Sequence, residues 1–194
     1  KQRTIFEYLW LGVEHIWIGY DHLLFLACLV WIAQTLPRIL LTVTGFTLAH
    51  SVTLALATLD ILRLPVPWVE AVIALSVLFM AAEVAKARQD TLIWRYPLAV
   101  SSLFGLLHGL GFAAVLGDIG LPQDQLFAGL LGFNFGVEVG QVVFICLCVG
   151  VIRLLGMSHY RRYTGETVLR RPVGYLLGSI AGYWVIDRTI AFVV

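Results

Sequence analysis

The chain has 194 residues, 60% of them hydrophobic and 13% charged, with a net charge of +1. Soluble domains carry about 25% charged residues, and one soluble domain of this length has too small an interior for so much apolar surface. An ordinary soluble fold is therefore excluded, and the near-neutral balance gives no footing for nucleic acid or an acidic soluble partner.

A helix needs about 20 mostly apolar residues to cross the hydrocarbon core of a bilayer. Six stretches meet that length, at 8–33, 39–59, 66–87, 97–116, 126–155 and 173–193. Pro37, Pro65, Pro67, Pro97, Pro122 and Pro172 sit at or near their ends, where the missing amide donor of proline punctuates helices. The connections are short and carry no linker or low-complexity tract. The expected fold is all-α, an integral membrane bundle of about six transmembrane helices forming a single domain over 1–194.

Ionisable side chains in the hydrocarbon region cost several kcal/mol, so each one marks a candidate function. The first stretch carries Glu14, His15, Asp21 and His22. The two histidines are seven residues apart, as are the two carboxylates, which puts each pair on one face of a continuous helix. Gly19 lies between them and permits close approach of another backbone or a ligand. The second stretch carries His50 with Thr47, Ser51 and Thr53, and the third opens with Glu70. The fourth carries His108 followed by Gly109 and Gly111, and the fifth carries Asn134, Glu138 and Gln141 on one face. At about 1.5 Å per residue, His50, His108 and Glu138 all lie about 17 Å into their helices, near the midplane. Asp21 and His22 lie a little beyond it, and Glu14, His15 and Glu70 lie nearer the outer surface.

Imidazole and carboxylate together suit nickel, cobalt, zinc and other transition metals. The expected centre comprises His15, Asp21, His22, His50, His108 and Glu138, with Glu14 and Glu70 at an outer mouth and Asn134 and Gln141 orienting or completing the site. The same residue types also build proton relays and hydrogen bonds between helices. Ser51, Thr53 and Ser76 read as hydroxyls bonded back to their own helices or lining the site. Cys28, Cys146 and Cys148 read as small core residues rather than a disulfide framework or a chelating pair. His159, beside Arg161 and Arg162, reads as a loop residue facing solvent or headgroups. Trp10, Trp17, Trp94 and Trp184 read as interfacial anchors.

Basic residues concentrate on one side: Arg38, Lys86, Arg88, Arg95, Arg153, Arg161, Arg162, Arg170 and Arg171, against Lys1, Arg3, Arg63 and Arg188 on the other. By the positive-inside rule both termini face outward and the longest loop, 153–171, is cytoplasmic. The opening at Lys1 rather than Met reads as a processed or trimmed start, and no signal peptide is visible because the first apolar run is long and carries charges. Phe46-Thr-Leu-Ala-His50 echoes Phe104-Gly-Leu-Leu-His108, and each is followed one helix later by Val-Glu, at Val69-Glu70 and Val137-Glu138. Such internal repeats occur in transporters. No phosphate-binding G-x-x-x-x-G-K-[ST] loop, G-x-S-x-G elbow or H-E-x-x-H helix is present, which excludes the corresponding ATPases, serine hydrolases and zincins.

His15-x-x-x-Gly19-x-Asp21-His22-Leu-Leu-Phe25 resembles the first-helix motif of the HupE/UreJ family. The segments beginning at Phe46, Val69, Phe104 and Phe133 are similar to its later motifs, in order, from about Gly12 to Gln141. The resemblance implies a membrane protein tied to nickel supply for hydrogenase or urease, or to cobalt uptake. It leaves room for an extracytoplasmic region before the helices or a metal-delivery partner. The first motif also resembles that of nickel–cobalt permeases, but five residues rather than four separate His15 from Asp21.

Two functions remain open. One is a permease that moves a divalent transition metal, nickel or cobalt, inward across a bacterial inner membrane. The other is an intramembrane metal-dependent hydrolase with a zinc-like site, three histidines holding the ion and a carboxylate as base. A carrier needs a polar path to both sides, whereas an enzyme needs a closed site with a groove for substrate. A structural or accessory subunit would leave the midplane site unused. Oligomeric state is not encoded in any motif.

Overall fold

The computed structural model describes residues 4–62, 64–86, 88, 90–119, 126–154 and 167–191. About 90% of the structure is helical, and no strand occurs among the described residues. The helices are α1 (Ile5–Ile18), α2 (Tyr20–Ala33), α3 (Leu36–Thr58), α4 (Val66–Lys86), the short α5 (Leu92–Arg95), α6 (Pro97–Ile119), α7 (Leu126–Leu154) and α8 (Thr167–Ile190). With no water to satisfy amides in hydrocarbon, helices that bond internally are what such apolar sequence can form. The chain is an all-helical membrane protein.

Local chemistry sets the helix ends. The Glu7 carboxylate accepts a hydrogen bond from the Thr4 backbone N–H at 2.5 Å, tying down a donor at the start of α1. Pro37 opens α3, and Pro97 is the first residue of α6; both supply a ring-fixed φ where the amide hydrogen is not needed. Gln34 closes α2 in the left-handed region at φ 61, the usual geometry just past a helix C-terminus. Pro172 departs from the sequence expectation. It lies inside α8, which starts six residues before 173.

By length and apolarity, α3, α4 and α7 are full candidate spans, and α1 with α2 makes a fourth. The first expected span is not continuous. It breaks at Gly19, and its halves are bent by 73°. At 23 and 24 residues α6 and α8 are long enough to cross, but α8 has Arg170, Arg171, Asp187 and Arg188 in its end turns.

Three helix pairings dominate the packing: α3 on α6, α4 on α8 and α1 on α7. The last is backbone on backbone. A Cβ on Gly12 would collide with the Phe133 carbonyl, and one on Gly136 with the Leu9 carbonyl. Gly132, Gly136 and Gly140 make a stripe at four-residue spacing on α7, the small-residue pattern that lets membrane helices approach closely. The core between the pairs holds Ile16, Phe25, Leu29, Phe46, Met80, Phe133 and Ile145. Cys28 is buried there, but Cys146 is exposed and Cys148 half-buried, so the pair is not core material. Trp10 is exposed, whereas Trp94 lies under the Arg170 guanidinium, 4.8 Å from its ring centre. His159 and its neighbours, the 158–166 loop, Lys1, Arg3, Arg63 and Pro122 lie outside the described residues.

Candidate metal centre at a broken helix

The break at Gly19 builds the centre. A Cβ at this position would lie 2.7 Å from His22 Nδ1 and 2.8 Å from the His15 carbonyl oxygen, so the chain needs glycine to turn with both histidines close by. On a straight helix, His15 and His22 would be about 10 Å apart along the axis. Across the break their ring centres are 4.6 Å apart. The expectation of one continuous helix carrying both on one face is not met; the bend, not seven-residue periodicity, brings the two rings together.

Two further imidazoles complete a cluster drawn from four helices. The His50 ring of α3 lies 5.9 Å from His15 and 6.1 Å from His22. The His108 ring of α6 lies 5.0 Å from His22. On α6, Gly109 lets the two backbones close up, since a Cβ there would strike the His50 carbonyl; this keeps His50 and His108 level. His50 is fully buried, and His108 and His22 nearly so.

Hydrogen bonds orient two of the rings. His22 Nδ1 pairs with Asp21 Oδ1 at 3.0 Å, and the carboxylate also accepts the His22 backbone N–H at 2.8 Å. A ring N–H directed at a carboxylate leaves the other nitrogen as the lone-pair donor. That nitrogen, Nε2 of His22, is buried with no hydrogen-bond partner among the described residues. The Ser76 hydroxyl donates to the Ile73 carbonyl at 2.7 Å and lies 3.2 Å from His108 Nε2. With its single hydrogen committed, Ser76 accepts from His108 Nε2–H, which leaves Nδ1 as the lone pair. Nδ1 of His108 and both ring nitrogens of His50 are likewise buried and unpartnered among the described residues. Each buried polar atom left so costs about 1–3 kcal/mol.

The cluster opens into a cleft of about 500 Å³ lined by Glu14, His15, Asp21, His22, Glu70, His108 and Arg188. Glu14 is exposed and Glu70 half-buried, in keeping with their expected place at the mouth. On the other side, one turn further from the break, aromatic rings close the cluster. Phe46 lies 6.0 Å from His50 and 5.1 Å from His108, and Phe25 lies 5.6 Å from His108.

The fifth-helix residues stand apart from the cleft lining. Thr44 donates to Glu138 Oε1 at 2.5 Å, and Thr47 donates to Gln141 Oε1 at 2.7 Å. Thr44 and Thr47 precede His50 by six and three residues, about 9 and 4.5 Å along α3, so Glu138 and Gln141 form a polar seam against α3 on the N-terminal side of His50. Asn134 bonds back to the Leu130 carbonyl at 2.8 Å. The back-bonded hydroxyls expected at Ser51 and Thr53 are present, to Thr47 and His50 carbonyls at 2.6 and 3.2 Å.

Two imidazoles on one ion have ring centres no more than about 6.5 Å apart, given a metal–nitrogen distance of about 2.0–2.1 Å. The four measured separations satisfy that bound. Their donor atoms do not yet meet. Among the described residues no three His, Cys, Asp or Glu side chains are set to hold an ion together.

Arg188 was counted in the sequence only as a topological charge. It reaches from α8 into the cleft, 3.6 Å from Asp21 Oδ2, and donates to the Glu70 carbonyl at 3.0 Å. Its signal was an arginine in the last turn of α8, directly after Asp187 and following the apolar run 173–186.

Comparison with curated proteins and with solved structures finds no match. The family model described as HupE / UreJ protein, by contrast, matches residues 1–188, which reach into the last turn of α8 and include every residue of the cleft. The chain therefore belongs to the HupE / UreJ family, a family associated with nickel or cobalt uptake or urease maturation.

Proposed function

We propose that the protein is a permease for a divalent transition metal, nickel or cobalt, that passes through the histidine cluster as cargo. One observation carries the reading: four imidazoles from α1, α2, α3 and α6 gather at a broken membrane helix, beneath a cleft lined by three carboxylates. Discontinuous helices at polar cavities are the recurrent binding element of secondary transporters. His15, His22, His50 and His108 supply nitrogen ligands, Asp21 orients His22 and contributes charge, and Glu14 and Glu70 gather cations at the mouth. Glu138 and Gln141, on their seam against Thr44 and Thr47, take the ion onward from the histidines. Mixed ligation of this kind binds a cation without trapping it. In this reading the membrane is the bacterial inner membrane, both termini face outward on the bias of basic residues, and a metal-delivery protein meets one face.

A second reading, an intramembrane metal-dependent hydrolase, is favoured by the aromatic closure at Phe25 and Phe46, because a closed site suits chemistry better than passage. Transport assays separate the two. Sealed vesicles are loaded externally with radioactive nickel, cobalt or zinc. The permease accumulates at least one, and the His50→Ala and His108→Ala variants accumulate none. A wild type that binds metal in detergent yet accumulates none in vesicles overturns the permease and leaves the hydrolase.

A further inference from the structure

The cleft contains a cation of its own. Apart from the histidines, Arg188 is the one basic residue lining it among the described residues. Its guanidinium is tied to three elements. It lies 3.6 Å from Asp21 Oδ2 on α2, donates to the Glu70 carbonyl on α4 at 3.0 Å, and sits 5.8 Å from the Trp184 ring centre one turn back on α8. It is about a quarter exposed, against 15% for Asp21, and both line the cleft beside His15, His22 and His108.

We propose that Arg188 is a tethered counter-ion that an incoming divalent cation must displace from Asp21, and that this exchange discriminates doubly from singly charged ions. The proposal rests on the permease reading and adds a selectivity residue to it. Asp21 has two oxygens with separate duties. Oδ1 is engaged by His22 Nδ1 and the His22 amide, while Oδ2 faces Arg188. An ion approaching His22 Nε2 therefore meets a carboxylate already neutralised by a fixed positive charge. A singly charged ion offers Asp21 no more Coulomb energy than the guanidinium does, and the tether gives Arg188 the advantage of local concentration. A doubly charged ion gains about twice as much from each carboxylate and adds imidazole coordination, which a guanidinium cannot accept. Once released from Oδ2, Arg188 keeps its bond to the Glu70 carbonyl. It stays in the cleft as a repulsive charge that keeps binding reversible.

The test uses the purified full chain in detergent and titrates nickel, cobalt and zinc by calorimetry, with release followed by stopped-flow mixing with a chelator. Arg188→Gln is expected to bind at least about tenfold more tightly and to release more slowly, while Arg188→Lys stays near wild type. Sodium, exchanged for choline at constant ionic strength, is expected to compete with nickel in Arg188→Gln and not in wild type. A structural role alone predicts the opposite sign, weaker binding and a lower melting temperature. Equal or weaker metal affinity in a well-folded Arg188→Gln protein overturns the proposal, as does sodium competition of equal strength in both proteins. If Arg188→Gln does not fold, Arg188→Met carries the same expectations. A wild type that binds none of the three metals overturns the permease reading itself, whatever the variants do.

Discussion

His50 offers a test in which losing function should raise stability. Its side chain is fully buried, and neither ring nitrogen has a hydrogen-bond partner among the described residues. Each such atom costs about 1–3 kcal/mol relative to a satisfied or apolar one. Leucine is close to imidazole in volume and has no polar atom, so His50→Leu removes both costs while disturbing packing against Phe46, whose ring lies 6.0 Å away. A shape change of this kind costs up to about 1.5 kcal/mol. The expected net effect is stabilisation by roughly 1–3 kcal/mol, and at about 2–4 °C per kcal/mol for a chain of this size the melting temperature rises by several degrees. Helix content followed by circular dichroism in detergent, with chelator present throughout, reads the change. Adding nickel or cobalt should then raise the wild-type melting temperature by mass action and leave His50→Leu unmoved. A drop of 2 kcal/mol or more in chelator, the ordinary cost of a core cavity, would refute the reasoning, because it would mean that both nitrogens are satisfied in the folded protein.

Asp21→Asn should lower metal affinity about 10–100-fold, the usual cost of removing a carboxylate that orients a ligating imidazole, measured by calorimetry. Metal binding should weaken steadily as pH falls from about 8 to about 5, since a ligating imidazole must be unprotonated; affinity that rises on acidification would exclude histidine ligation. Gly136→Val should abolish folding or cost more than about 3 kcal/mol, because its side chain meets the Leu9 carbonyl. Gly150→Ala, on the same helix with nothing within 4 Å of the added Cβ, should instead stabilise by about 0.5–1 kcal/mol, as read by the same melts.

Composition and run length were enough to show the helices, because backbone amides in hydrocarbon have no alternative to internal bonding. The break at Gly19 was not legible as a break. An 8–33 run satisfies every length and apolarity criterion, and a lone glycine in a helix usually costs only about 1 kcal/mol. What singles out Gly19 is the space around it: a Cβ there would meet His22 Nδ1 and the His15 carbonyl, a crowding visible only once the chain is bent. The depth count placed His50 and His108 at one level correctly, since α3 and α6 lie in direct contact there. It could not tell which way the α7 face points. Glu138 has the depth of the histidines by counting, yet its carboxylate turns toward Thr44, because Gly132, Gly136 and Gly140 are committed to α1 and fix the rotation of the helix.

That rotation bears on how a metal would leave the cluster. A permease needs polar partners on both sides of its central site. The Glu138–Thr44 and Gln141–Thr47 pairs supply such partners on α3, about two turns and one turn before His50. On the same helix, Phe46 is stacked on His50 at an interplanar angle of 17°. In the permease reading, a χ1 change at Phe46, four residues from His50 on the same face of α3, is the motion that would let an ion pass. Rotamer changes of this size are fast compared with helix rearrangement. In the permease reading the aromatic rings act as a gate before the polar seam, whereas in the hydrolase reading the same rings close the site, and the vesicle assay decides between them.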